Sequence, residues 1–169
     1  MWMAGPNAES RLILVVDPDT EGRRALRQAL VRRGFDVVNA GSGLMALELV
    51  QRMGDRFRAI VLDPDLPEIS GLVVAETLRQ FRPGFPVICV SRAGAALGSE
   101  RGGGCLAKPV DEAELALRIE AVSAGRESNW EGGSGAPDDV AERARARYEA
   151  TGDLVEAAFE LARGMPGEP

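Results

Sequence analysis

The chain contains no histidine. That absence excludes Ser-His-Asp and Cys-His nucleophilic catalysis and every histidine-ligated metal centre. Cysteine is scarce too, with only Cys89 and Cys105. Both lie in or beside apolar stretches, and they have neither zinc spacing nor the density of a disulfide scaffold. They read as two buried, reduced thiols, which fits a cytoplasmic protein. Aromatic residues are few, at 5%, but an apolar content of 45% is ordinary for a chain with a packed core. No apolar run approaches the length of a transmembrane helix, so no membrane span is expected. Residues 1–10 lack the basic region and apolar core of a signal peptide and read as a flexible tail. A net charge of -6 argues against duplex nucleic acid as the main partner, because affinity there comes from cations on phosphate. Direct DNA binding is therefore not expected. Lysine is almost missing: Lys108 is the single lysine among 20 basic residues. A lone ammonium in an arginine background points to a site needing a compact cation rather than a planar fork.

A length of 169 residues suffices for one domain with an extension. Leu12 to Val16 is a continuous apolar, β-rich run, as expected of a strand buried on both faces, and it ends at Asp17. From Thr20 to Arg33, Ala25, Leu26, Ala29 and Leu30 recur at helical spacing, and Gly34 supplies the stop. Phe35 to Ala40 reads as a second strand, and Ser42 can cap a second helix that ends before Gly54. Ala59 to Leu62 is a third buried strand, again ending in acid, at Asp63. A third helix carries Leu72, Val73, Ala75 and Leu78. Pro83, Gly84 and Pro86 precede a fourth strand, Val87 to Val90. The next stretch offers only a short helix, Ala93 to Leu97, before a glycine cluster. Cys105 to Ala107 reads as a fifth strand, and Asp111 with Glu114 has the form of a capping box opening a helix through Val122.

Strands alternating with helices imply parallel β-α-β units with right-handed crossovers. Ligands of such sheets gather outside the carboxyl ends of the strands. Those ends carry Asp17, Asp63, Ser91 and Lys108. Residues 123–137 are rich in Gly and Ser and read as a linker. Residues 138–169 read as a helical appendage with apolar positions at Val140, Ala144, Tyr148, Leu154, Val155, Ala158 and Phe159. Two short helices bury too little to fold alone. They must pack on the main domain, on a second copy as a homodimer, or on a downstream protein partner. No winged-helix or helix-turn-helix pattern is apparent in residues 138–169.

Residues 11–122 resemble the receiver domain of two-component response regulators. The resemblance rests on Leu12 to Asp17, on Val61-Leu62-Asp63-Pro64-Asp65-Leu66-Pro67 with Ser70-Gly71, on Pro86 to Ser91, and on Leu106-Ala107-Lys108-Pro109. It implies a doubly wound α/β fold of the flavodoxin-like, CheY-like kind, with a five-stranded parallel sheet in order 2-1-3-4-5. It also implies that Asp63 accepts a phosphoryl group from a histidine kinase or phosphotransfer protein, and that the domain signals through protein contacts rather than acting as an enzyme. Asp17 and Asp63, with the backbone carbonyl of Asp65, would hold Mg2+. Ser91 would hydrogen-bond a phosphoryl oxygen, Lys108 would pair with the phosphoryl group or with Asp63, and Lys108-Pro109 would be cis. The chemistry agrees: a carboxylate attacking a phosphate needs cations to offset its charge, and Mg2+ favours carboxylates, carbonyls and water.

The sequence departs from the family in three places. A second acid usually follows the first strand, whereas this chain has Pro18, with Asp19 one residue further as a substitute ligand; weak Mg2+ binding is the expectation. Cys105 stands where a switching aromatic is frequent. The stretch of the fourth helix is short and glycine-rich. Two other readings remain in view. One is a pseudo-receiver scaffold without phosphotransfer. The other is a haloacid-dehalogenase-like phosphatase using Asp17, after the resemblance of Asp17 to Thr20 to that family's opening.

Overall fold

The computed structural model describes residues 9–92, 105–125, 130 and 135–165. The five strands are β1 (Leu12–Val16), β2 (Asp36–Ala40), β3 (Phe57–Leu62), β4 (Val87–Ser91) and β5 (Leu106–Ala107). They form one parallel sheet in the order β2-β1-β3-β4-β5. The helices are α1 (Thr20–Arg32), α2 (Gly43–Met53), α3 (Gly71–Phe81), α4 (Glu112–Ser123), α5 (Asp138–Thr151) and α6 (Leu154–Gly164). This is the expected doubly wound topology with a helical C-terminal part. The expected helix at Ala93 to Leu97 lies outside the described residues, as does most of the N-terminal tail.

Strand side chains alternate between two apolar clusters because successive residues point to opposite faces. Leu14, Val16, Ile60, Leu62, Val87 and Cys89 pack with Leu47, Val50, Val74 and Leu78 of α2 and α3. Ile13, Val15, Ala59, Val61, Ile88 and Val90 pack with Leu26, Leu30, Leu115 and Ile119 of α1 and α4. All of these helices except α5, which follows Pro137, begin where the sequence provides a side-chain cap. The Asp19 carboxylate accepts from Glu21 and Gly22 N–H, Ser42 from Met45, Ser70 from Val73 and Asp111 from Glu114. A cap of this kind contributes about 1 kcal/mol.

The C-terminal helices fold back on the receiver. Gly152 takes the left-handed conformation, φ 69°, that ends α5 and turns the chain into α6. Leu154, Ala158 and Leu161 of α6 join the apolar cluster beneath α2 and α3. The Leu154 N–H donates to Gln51 Oε1 at 2.6 Å, and the Phe81 and Tyr148 rings pack with centroids 4.7 Å apart and planes tilted by 40°. Only Phe159, 38% exposed, is left as a large apolar residue on the outside of this hairpin. Of the three ways to bury the appendage, the chain uses its own receiver.

Several expectations need correction. Cys89 and Cys105 are not free thiols but a disulfide. Parallel pairing of β4 with β5 brings their Cα atoms to 4.4 Å across a separation of 16 residues, a distance that spacing alone does not announce. The argument from reduced thiols to a cytoplasmic setting therefore falls away. Among the described residues, no helix is long and apolar enough to cross a membrane. β3 starts two residues earlier than expected and takes in Arg58. That guanidinium is buried against α4, donating to Ser123 Oγ at 3.1 Å and Glu120 Oε2 at 2.5 Å. Trp130, inside the Gly/Ser-rich stretch, is buried at 2% exposure, and its backbone N–H donates to Val87 O at 2.9 Å. One linker residue thus hangs on the side of β4 away from β3.

Candidate functional site

The site grows from a repeated tripeptide. Asp17-Pro18-Asp19 and Asp63-Pro64-Asp65 follow β1 and β3, and both fold the same way. Asp17 Oδ1 accepts from the Asp19 N–H at 2.8 Å, and Asp63 Oδ1 accepts from the Asp65 N–H at 2.8 Å. The intervening proline has no N–H and a fixed φ, which suits a turn closed by the aspartate side chain. Each turn leaves its second carboxylate oxygen facing the same place. Lys108 fills that place: its Nζ donates to Asp17 Oδ2 and to Asp63 Oδ2, both at 2.6 Å. The sequence echo and the lone lysine are therefore parts of one arrangement.

The backbone brings these groups level. Asp63 N–H donates to Val16 O at 2.9 Å, Asp17 N–H to Ala40 O at 3.2 Å, and Lys108 N–H to Ser91 O at 3.1 Å. Ser91 closes β4 and is fully buried. The Lys108-Pro109 bond is cis, as expected. Two glycines let helices start close to the carboxylates. A Cβ at Gly22 would lie 2.7 Å from Asp17 Oδ2, and one at Gly71 would lie 2.6 Å from Asp63 O and Pro64 Cα. Arg23 donates to Asp17 O at 2.7 Å and fixes the turn from the side of α1.

Asp17 is 1% exposed and Asp63 9%. Burial would lower the Lys108 ammonium, but hydrogen bonds and charge from Asp17 and Asp63 outweigh it and raise it above its ordinary value. Two carboxylates and one ammonium leave the cluster with one negative charge. Asp19 does not join them. Its carboxylate caps α1 and lies 3.8 Å from Arg92. The substitute-ligand role expected for Asp19 is thus set against a carboxylate already engaged elsewhere. Among the described residues, no three His, Cys, Asp or Glu side chains form a metal cage. The remaining oxygen donors suit Mg2+ in kind, but they are few. Beside the cluster, between α1 and the start of α4, lies a cavity of about 490 Å3 rimmed by Asp19, Arg32, Arg92, Lys108 and Glu112.

Parallel strands whose carboxyl ends present a buried acid pair under a single lysine define a receiver-type signalling domain. Residues 13–120 match the response regulator receiver domain, and the chain belongs to that family. It is 35% identical to the transcriptional regulatory protein CpxR homolog of Haemophilus influenzae, over 65% of this chain and 49% of that one. A response regulator from Chloroflexus aurantiacus, described as putative, shares the fold with a TM-score of 0.58 at 28% identity, over 68% of this chain and 98% of that one. The CheX–CheY–BeF3–Mg2+ complex of Borrelia burgdorferi shares the fold alone, with a TM-score of 0.59 at 21% identity, over 70% and 95% of the two chains. The chain spans about half the length of the curated relatives it matches. Two of these relatives are named as transcriptional regulatory proteins; that role is theirs, and the charge argument against nucleic acid rests on the composition of this stretch alone. Family membership takes the place of the phosphatase resemblance at Asp17.

Proposed function

We propose that this receiver accepts a phosphoryl group on Asp63 from a histidine kinase or phosphotransfer protein and passes the signal on by protein contact. The observation that carries the reading is Lys108 bridging Asp17 and Asp63 at 2.6 Å to each. Asp63 Oδ2 attacks phosphorus, the bond from phosphorus to the donor breaks, and its electron pair leaves with the donor. The new group brings about -1.5 to -2 charge into a cluster that already carries net negative charge. Lys108 is the cation at hand, and Ser91, at the end of β4, is the hydroxyl assigned to a phosphoryl oxygen. Asp17, Asp63 and the carbonyl of Asp65 would be the donors for Mg2+, which when bound would neutralise part of the phosphoryl charge. Pro18 leaves this set one carboxylate short, so Mg2+ binding is weak.

Asp63→Asn tests the assignment. After incubation of the full chain with acetyl phosphate and Mg2+, intact mass should show one added phosphoryl group in wild type and none in the variant. Equal gain in both would move the acceptor elsewhere. No gain in either, even at saturating Mg2+, would favour a scaffold that does not undergo phosphotransfer, a reading that Pro18 and the closed Asp17–Lys108–Asp63 bridge also suit.

A further inference from the structure

We propose that the Cys89–Cys105 disulfide is a thiol–disulfide exchange site whose state sets how firmly the strand carrying Lys108 is held. Its place in the sheet makes the argument. β5 has only two residues, pairing Leu106 with Val90 and Ala107 with Ser91. The disulfide joins the residues one step before these pairs, so it continues the same ladder with a covalent rung. Lys108 is the first residue after β5, and its N–H donates to Ser91 O. On the other side, Cys89 pairs with Leu62, the residue before Asp63. A single covalent bond therefore ties the lysine's strand to the strand beside the aspartate.

The disulfide also adjoins the linker. Val87, two residues before Cys89 and on the same face, accepts the Trp130 N–H, and the Trp130 indole shares an apolar cluster with Cys89 and Cys105. The side of β4 away from β3 thus holds Trp130 at one end and β5 at the other, with the disulfide between them. A two-residue edge strand has few hydrogen bonds of its own, and such edges open at low cost when a constraint is lost.

The exchange is a two-electron step with a dithiol reductant. A reductant thiolate attacks Sγ of Cys105, which is 7% exposed, while Sγ of Cys89, fully buried, leaves and takes a proton. The reductant's second thiolate then displaces Cys105. The chain is left with two thiols and the reductant with one disulfide. Oxidation by a disulfide-form partner runs the same steps backwards.

The influence on phosphoryl uptake rests on the reading of Asp63 as acceptor; the clamp itself does not. The test uses the full chain in buffers of graded dithiothreitol, reduced and oxidised. Alkylation and intact mass count thiols, while hydrogen exchange follows the amides of Leu106, Lys108 and Trp130. The proposal expects no free thiol in the oxidised protein and two after reduction. It expects exchange at these three amides to rise by about tenfold or more on reduction and to return on reoxidation. Cys89→Ala/Cys105→Ala should show the fast exchange at every buffer ratio. Two free thiols under oxidising conditions, or unchanged exchange after complete reduction of wild type, would overturn it. Phosphoryl uptake, measured in parallel, should slow several-fold on reduction. If neither redox form takes up phosphoryl, the acceptor reading fails while the amides still decide the clamp.

Discussion

The face of the sheet under α1 and α4 is one helix layer deep and carries the cavity beside Lys108. The face under α2 and α3 carries a second layer, made by α5 and α6. Both faces start from the same alternation of aliphatic side chains, yet they end differently. The first carries charged pairs such as Arg32–Glu112 at its rim and stays open beside the acid cluster. The second is closed by apolar burial and by a few aimed hydrogen bonds. The comparison teaches that, among the described residues, this chain keeps the approach to its carboxylates on the α1–α4 side and spends its C-terminal helices on covering the other.

Leu161→Ala should break that asymmetry most strongly. Leu161 is fully buried in the cluster shared by α6, α2 and α3. The loss should be about 2–5 kcal/mol by chemical denaturation. A value near zero would mean the second layer contributes nothing to the fold.

Glu76 sharpens the comparison, because it is a buried charge that ties the linker to α3. Its carboxylate accepts from Arg79, Gln80 and the Ala136 N–H. Burial would raise the carboxyl, but these bonds outweigh it and hold it below the ordinary 4.5. Its contribution is therefore full above the unfolded-state value and is lost as pH falls through the lower folded value. Glu76→Gln should cost about 1.5–3 kcal/mol at neutral pH. The gap between variant and wild type should shrink as the pH drops below 4.5. A gap constant with pH would remove the charge from the explanation.

Pro18→Asp probes the open side. Restoring a carboxylate after β1 should tighten Mg2+ by roughly tenfold, the order by which one partner in a metal's surroundings changes affinity. Calorimetric titration reads it, and unchanged affinity would mean that Pro18 is not what limits the metal. The smallest effect belongs to Glu112→Gln. Exposed ion pairs contribute little, so the thermal midpoint should match wild type within error. A clear drop would show that the α1–α4 rim matters as much as the α6 layer.

Much of this was legible in the residues. Leu12 to Val16 and Val87 to Val90 are apolar on every position, as expected of doubly covered strands, and the acids at Asp17 and Asp63 mark where such strands stop. The lone Lys108 and the repeated Asp-Pro-Asp were visible as oddities, and their meeting point followed from the topology. Other features were not legible, because they depend on strand neighbours rather than on local pattern. The disulfide needs the β4–β5 register to bring Cys89 to Cys105. Arg58 reads as a strand boundary until Glu120 and Ser123 arrive from α4 to satisfy it. Trp130 sits in a stretch whose composition says linker, and only the side of β4 away from β3 gives it a place. Asp19 reads from the sequence only as a substitute metal ligand, whereas in the fold its carboxylate caps α1.

The measurement that bears most directly on the central claim is the location of the phosphoryl group. The full chain would be treated with acetyl phosphate and Mg2+, trapped with borohydride, which reduces an aspartyl phosphate to homoserine, and mapped by peptide mass spectrometry. The account predicts conversion at Asp63 and at no other aspartate. Conversion at Asp17, or at an acid outside the Asp17–Lys108–Asp63 cluster, would contradict it.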